Sequence, residues 1–123
     1  MQETQYEQKL LNILKDQGTS YIVWQEIFDN GAKILPDTVV DVWKGGWNET
    51  MKSATEAGYH TVLSAPFYLN YISYGEDWPN YYHVEPSNFT GGAKADSDGL
   101  IGGIEACMWS EFVDAANFIP RNW

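Results

Sequence analysis

Apolar residues along this chain fall into two alternating rhythms, one at helical spacing and one in short unbroken runs. Tyr6, Leu10, Ile13 and Leu14 recur helically behind the early acidic residues Glu3 and Glu7, and Gly18 follows as a stop. That pattern predicts a helix over about residues 3–16. Tyr21-Ile22-Val23-Trp24 is a continuous apolar run, the signature of a strand buried on both faces. Past the turn formers Asn30-Gly31 and Pro36, Thr38 to Trp43 reads as a second strand. Asn48 is placed to cap a helix running through Ala57 that buries Met51 and Ala54, with Gly58 ending it. Thr61 to Ala65, closed by Pro66, makes a third strand. Leu100 to Trp109 makes a fourth, with Gly102-Gly103 marking a bulge or a close backbone approach. From Phe67 to Gly99 no period survives, and a structureless stretch of about thirty residues is usually a functional loop or an insertion.

Nearly all-apolar strands alternating with helical segments predict an α/β protein with a parallel sheet. The strands end alike: Trp24-Gln25-Glu26, Trp43-Lys44, Phe67-Tyr68-Leu69-Asn70 and Trp109-Ser110-Glu111. In α/β barrels the C-terminal strand ends build the active site. Any one large aromatic there could simply plug a sheet edge, but four strands repeating the arrangement point to a ligand site.

Composition narrows the ligand. The chain has 123 residues, one domain at most, and 7 Lys plus Arg against 17 Asp plus Glu give 7 − 17 = −10. Apolar content of 44% fits a packed core rather than a disordered acidic tail. The negative surplus repels phosphate backbones and anionic lipid, which argues against nucleic acid or a membrane surface as partner. No run of 18 apolar residues is present, so no membrane span is expected. The start, Met1-Gln2-Glu3-Thr4, lacks the positive flank and apolar stretch of a signal peptide. Six Trp, eight Tyr and five Phe are the oddity. Indole and phenol rings suit the C–H faces of a pyranose, and Asn and Glu suit its hydroxyls, so the composition points to carbohydrate. Sugar chemistry usually needs two flanking carboxyl groups, and Glu26 and Glu111 are the strand-end candidates.

Other chemistries find less support. Asp96-Ser97-Asp98-Gly99 with Glu105 matches part of a calcium loop, but Lys94 stands at the first ligand position and an apolar strand follows. His60 and His83 have no ligand spacing, and no metal or cofactor is expected. Ser64 lacks the glycines of a nucleophile elbow, and Cys107 in its apolar setting reads as a packed thiol. The lone Cys107 favours a reducing compartment, whereas the sequons Asn48-Glu49-Thr50 and Asn88-Phe89-Thr90 favour a glycoprotein.

Ile22-Val23-Trp24-Gln25-Glu26-Ile27-Phe28-Asp29, Val42-Trp43-Lys44, Leu63 to Asn70, Ile72 to Trp78 and Gly102 to Glu111 resemble glycoside hydrolase family 20 β-N-acetylhexosaminidases, notably animal lysosomal β-hexosaminidase subunits. The likeness runs in order from about residue 7 to the end. It implies that residues 1–123 are the C-terminal half, about strands five to eight, of a (β/α)8 barrel. A full barrel takes about 250 residues. It implies that Trp24, Trp43 and Trp109 line the pocket for the terminal sugar and its acetamido methyl. Tyr68 would hold the acetamido oxygen, making it the catalytic residue of this chain, while Asn70 and Glu111 bind ring hydroxyls. The implied reaction is retaining and substrate-assisted, with the acetamido oxygen as nucleophile. It removes terminal β-linked N-acetylglucosamine or N-acetylgalactosamine from glycoconjugates without a cofactor. The family's Asp-Glu acid pair has no counterpart among these residues, so it is expected upstream of Met1, leaving the isolated chain inactive. A lysosomal or secreted glycoprotein carrying glycans at Asn48 and Asn88, and dimeric through the neighbourhood of Tyr74, is also implied. Tyr71 departs from the Arg or Leu of the two lysosomal subunit types. The alternative is a non-catalytic sugar-binding relative.

Overall fold

The computed structural model describes residues 2–120. Helix α1 (Gln2–Asp16) is followed by β1 (Ile22–Trp24), α2 (Gln25–Asp29), β2 (Val39–Val42), α3 (Trp47–Glu56) and β3 (His60–Leu63). Two short helices, α4 (Trp78–Tyr82) and α5 (Gly92–Ser97), precede β4 (Ile101–Ile104). The four strands form one parallel sheet in the order β1-β2-β3-β4, with Val23 opposite Val40 and Asp41 opposite Val62. Sequence order thus equals spatial order, and all four C-terminal ends lie along one edge.

Packing on one face explains which residues are apolar. Val40 and Val42 from β2, Leu63 from β3 and Met51 and Ala54 from α3 are fully buried, joined by Leu11, Val23 and Phe67. Burying Met51 that completely is worth about 2–5 kcal/mol against truncation to Ala. Gly58, at φ +86°, ends α3 by donating its N–H to Thr55 while Tyr59 donates to Ala54, a left-handed cap that a side chain would strain. At β4 the register skips a residue, because Thr61 pairs Ile101 and Val62 pairs Gly103. A Cβ at Gly102 would stand 3.2 Å from the Thr61 carbonyl oxygen, which accounts for glycine at this bulge.

Several expectations need correction. Asn48 does not cap α3: Gly46, at φ +74°, turns the chain into the helix earlier and leaves Asn48 in the first turn. Double-sided burial fails for β1 among the described residues, where Val23 is buried against the core while Ile22, on the opposite face, is 68% exposed. On α1 the predicted stripe is largely open, with Tyr6, Leu10 and Ile13 exposed and Leu11 facing the core. The fourth strand stops at Ile104 and resumes only as a parallel bridge between Cys107 and Tyr68. The aperiodic 67–99 stretch holds α4 and α5, which at five and six residues are too short to display a period.

Candidate active site

Beyond the strand ends the chain opens into a cleft of about 590 Å³. Trp24, Trp43, Tyr68, Asn70, Trp109 and Glu111, the six sugar-binding candidates, all line it. Each arrives from a different place on the sheet edge. Trp24 closes β1 and Trp43 follows β2 by one residue. Tyr68 is held by the bridge to Cys107, with Leu69 N–H donating to Cys107 O at 2.8 Å and Cys107 N–H to Phe67 O at 2.9 Å. Trp109 and Glu111 follow that bridge two and four residues on.

Four of the rings form a continuous wall. Trp24 meets Trp43 edge to face at 6.2 Å, Trp43 meets Tyr68 at 6.4 Å, and Tyr68 stacks on Tyr71 at 5.5 Å with an 18° interplanar angle. Tyr68 is buried. Burial, helped by nearby Cys107, pushes its hydroxyl up to about 12 against the pull of a hydrogen bond with Trp109, so it remains an O–H donor at any physiological pH. Polar groups sit at the far end, where Asn70, itself buried, donates from Nδ2 to Glu111 Oε2 at 3.3 Å.

Glu26 also lines the cleft, but its carboxylate is engaged. Oε2 accepts the Trp43 indole N–H at 2.7 Å, and Oε1 pairs with Lys44 at 3.3 Å. Burial alone would raise its pKa, but these partners and its own backbone N–H outweigh that and hold it below the usual carboxylate range. A carboxylate kept ionised in this way is a poor general acid, which removes Glu26 as the protonating half of an acid pair.

Three residues named in the sequence were given no role in this neighbourhood. Gln25 is buried and accepts the backbone N–H groups of both Trp43 and Lys44 on Oε1. Lys44 lies 5.5 Å over the Trp43 ring. Tyr71 extends the aromatic wall. Gln25 and Lys44 stood out in the sequence through adjacency to a strand-end tryptophan, and Tyr71 as a departure from the family residue beside Asn70.

The remaining candidates resolve into packing. Ser64, fully buried, donates to Asp41 Oδ1 at 2.5 Å, and burial raises the Asp41 carboxyl despite that bond, with Glu105 adding to the rise. Cys107 is a buried thiol raised by burial and by the charges of Glu105 and Asp41, which suits an inert packed sulfur. His60 Nδ1 lies 3.1 Å from the Gly99 carbonyl oxygen. Asp96 and Ser97 lie in α5 and Asp98 is ion-paired with Lys94, so the segment lacks the backbone of a calcium loop and one of its carboxylates is already engaged.

The catalytic-domain profile of glycosyl hydrolase family 20 matches residues 1–123. The chain belongs to that family. It is 49% identical over 122 residues to the β-hexosaminidase subunit beta of Felis catus and 48% identical over 122 residues to that of Homo sapiens. It is 46% identical over 125 residues to the β-hexosaminidase subunit alpha of Rattus norvegicus. Each alignment covers 98% of this chain and 22–23% of the relative, so the chain spans about a quarter of the length of these curated family 20 proteins. Among solved structures, a Flavobacterium johnsoniae chitobiase superposes with a TM-score of 0.76 at 27% identity, over 98% of this chain and 18% of that one. The superposition supports the parallel α/β arrangement as a family 20 architecture.

Proposed function

We propose that the intact protein is a β-N-acetylhexosaminidase. It releases terminal, non-reducing β-linked N-acetylglucosamine or N-acetylgalactosamine from glycoconjugates, and residues 1–123 furnish strands five to eight of its (β/α)8 barrel. One observation carries this reading: six residues singled out in the sequence line one aromatic cleft at the C-terminal edge of four parallel strands. The rings of Trp24, Trp43 and Trp109 offer apolar faces to a pyranose and its acetamido methyl. Tyr68, protonated at working pH, donates its O–H to the acetamido carbonyl oxygen and aims that oxygen at the anomeric carbon. Attack there expels the aglycone and gives a cyclic oxazolinium, which water opens with net retention. Asn70 and Glu111 bind the ring hydroxyls at the far end. The leaving group is protonated by a carboxyl outside residues 1–123, since no Asp-Glu dipeptide occurs in them.

The family and the sequons together support a glycosylated lysosomal or secreted protein. Asn88 is exposed and open to a glycan, whereas Asn48 is half-buried with its Nδ2 donating to the Asn88 carbonyl at 2.8 Å. Tyr74, 98% exposed, is available to a second subunit of a dimer.

The test is turnover of an aryl β-N-acetylglucosaminide by the intact protein, with retention followed by NMR. Tight binding of N-acetylglucosamine without turnover would instead identify a non-catalytic sugar-binding relative.

A further inference from the structure

We propose that Gln25 is a positioning residue that fixes Trp43 as a rigid wall of the sugar pocket by standing in for the strand backbone that β1 withdraws. The proposal rests on the functional reading above for what the wall binds.

The geometry begins at the sheet edge. β1 and β2 pair only as far as Trp24 opposite Asp41, after which the β1 chain coils into α2 while β2 continues to Val42. The N–H of Trp43, which alternation along β2 directs to the same side as the Val39 N–H that donates to Tyr21 O, thereby lacks the backbone acceptor a longer β1 would have offered, and the N–H of Lys44 follows it. The Gln25 side chain fills that gap. Its Oε1 accepts the N–H of Trp43 at 3.0 Å and the N–H of Lys44 at 2.8 Å, using both lone pairs. Its Nε2 donates to Asp29 Oδ2 at 3.0 Å and Thr50 Oγ1 at 3.3 Å, using both protons. A single 3% exposed amide thus ties the ends of β1 and β2 to α2 and α3, with no hydrogen-bonding capacity left over. Glu26 takes the indole N–H of the same tryptophan, so Trp43 is held at its backbone and at its ring edge by consecutive residues. Such support sets ring placement without touching substrate, and ångström-scale placement governs how well a sugar face is met.

The chemistry of Gln25 suggests its own control. Gln25→Glu keeps an acceptor for Trp43 and Lys44 but replaces the donor aimed at Asp29 with an oxygen, setting two carboxylates against each other. Adding Asp29→Asn restores a donor between the two positions. In the intact enzyme, Gln25→Glu is expected to raise KM for an aryl β-N-acetylglucosaminide about tenfold, the effect of one good hydrogen bond, with kcat changed far less. The Trp43 resonance in fluorotryptophan-labelled enzyme, assigned through Trp43→Phe, is expected to shift, and Gln25→Glu with Asp29→Asn to return both readouts toward wild type. A folded Gln25→Glu enzyme with unchanged KM and unchanged Trp43 resonance overturns the proposal. So does a double variant that melts like wild type yet recovers neither readout. If Gln25→Glu does not fold, Thr50→Val, measured against Asn48→Gln because both lose the same sequon, removes one partner without adding charge and is expected to give about a threefold KM rise and a smaller resonance shift relative to that control, with no change in either overturning the proposal. Should the wild-type enzyme turn over no substrate, the functional reading fails, and the resonance alone decides whether Gln25 positions Trp43.

Discussion

The two sides of the cleft are built by different means. On the β1–β2 side, Trp43 is held by side chains: two bonds from Gln25 to the backbone at residues 43 and 44, and one from Glu26 to the indole. On the β3–β4 side, Tyr68 is held by backbone, through the bridge to Cys107. Past that bridge come the groups assigned to sugar hydroxyls, Asn70 and Glu111, whose mutual contact is long at 3.3 Å. The half-exposed Trp109 and the 63% exposed Tyr71 flank them. One side is therefore an apolar surface held by side-chain bonds, and the other presents hydrogen-bonding groups, which on the proposed function would meet the sugar hydroxyls. Pockets that orient a ligand combine these elements, with apolar area for affinity and a few polar groups for register.

The comparison breaks most severely at Tyr68, where the two sides meet. Tyr68→Phe leaves the ring contacts with Trp43 and Tyr71 in place and removes the hydroxyl, and with it the bond to Trp109. In the intact enzyme kcat is expected to fall about 100-fold or more, the usual cost of deleting a preorganised donor at a developing charge, with KM little altered. Steady-state kinetics check it, and a fall confined to KM would reassign Tyr68 to the passive wall. Glu111→Gln probes the polar side. Losing a charged acceptor costs about 1.5–3 kcal/mol, which predicts a KM rise of roughly 10- to 100-fold. The effect should vanish for a substrate lacking the hydroxyl that Glu111 accepts, as deoxy-sugar analogues would reveal.

The same contrast explains what was legible in the sequence. Aromatic and polar residues at strand ends were readable because each apolar run announces its own end, and Trp24, Trp43, Tyr68, Asn70, Trp109 and Glu111 all line the cleft. The α/β class and the burial of Met51 and Ala54 were readable for the same reason. Supports were not. Gln25 matters only because β1 leaves the sheet one residue before β2 does, an event of tertiary pairing that no local pattern encodes. Asn48 failed as a cap because Gly46, able to adopt positive φ without strain, starts the helix first. The unbroken run of β1 promised two buried faces, but only the Val23 face packs on the core of the described residues, with Ile22 and Trp24 on the other. Short helices such as α4 cannot complete enough turns to show a stripe.

The smallest effect expected is at Glu26, and it separates the two supports of the β1–β2 side by pH. Glu26 titrates below its ordinary value in the folded protein because the Trp43 indole, its own backbone N–H and Lys44 favour the carboxylate over what burial costs. A group with a depressed folded pKa contributes fully above its unfolded pKa, and the contribution is lost as pH falls through the folded pKa. The ionic hold on Trp43 is therefore complete at neutral pH and persists into the carboxylate range before protonation releases it. Glu26→Gln keeps a neutral acceptor for the indole N–H but cannot pair with Lys44 or titrate. That pair is partly exposed, with side chains 40% and 29% accessible, so the loss is modest. The variant should show a KM about two- to threefold above wild type at neutral pH, and the ratio should close toward one as pH falls below the carboxylate range. A ratio constant with pH would mean that the ionic contact adds nothing. The neutral bonds of Gln25 alone would then fix the wall, and the difference between the two sides would rest on one amide.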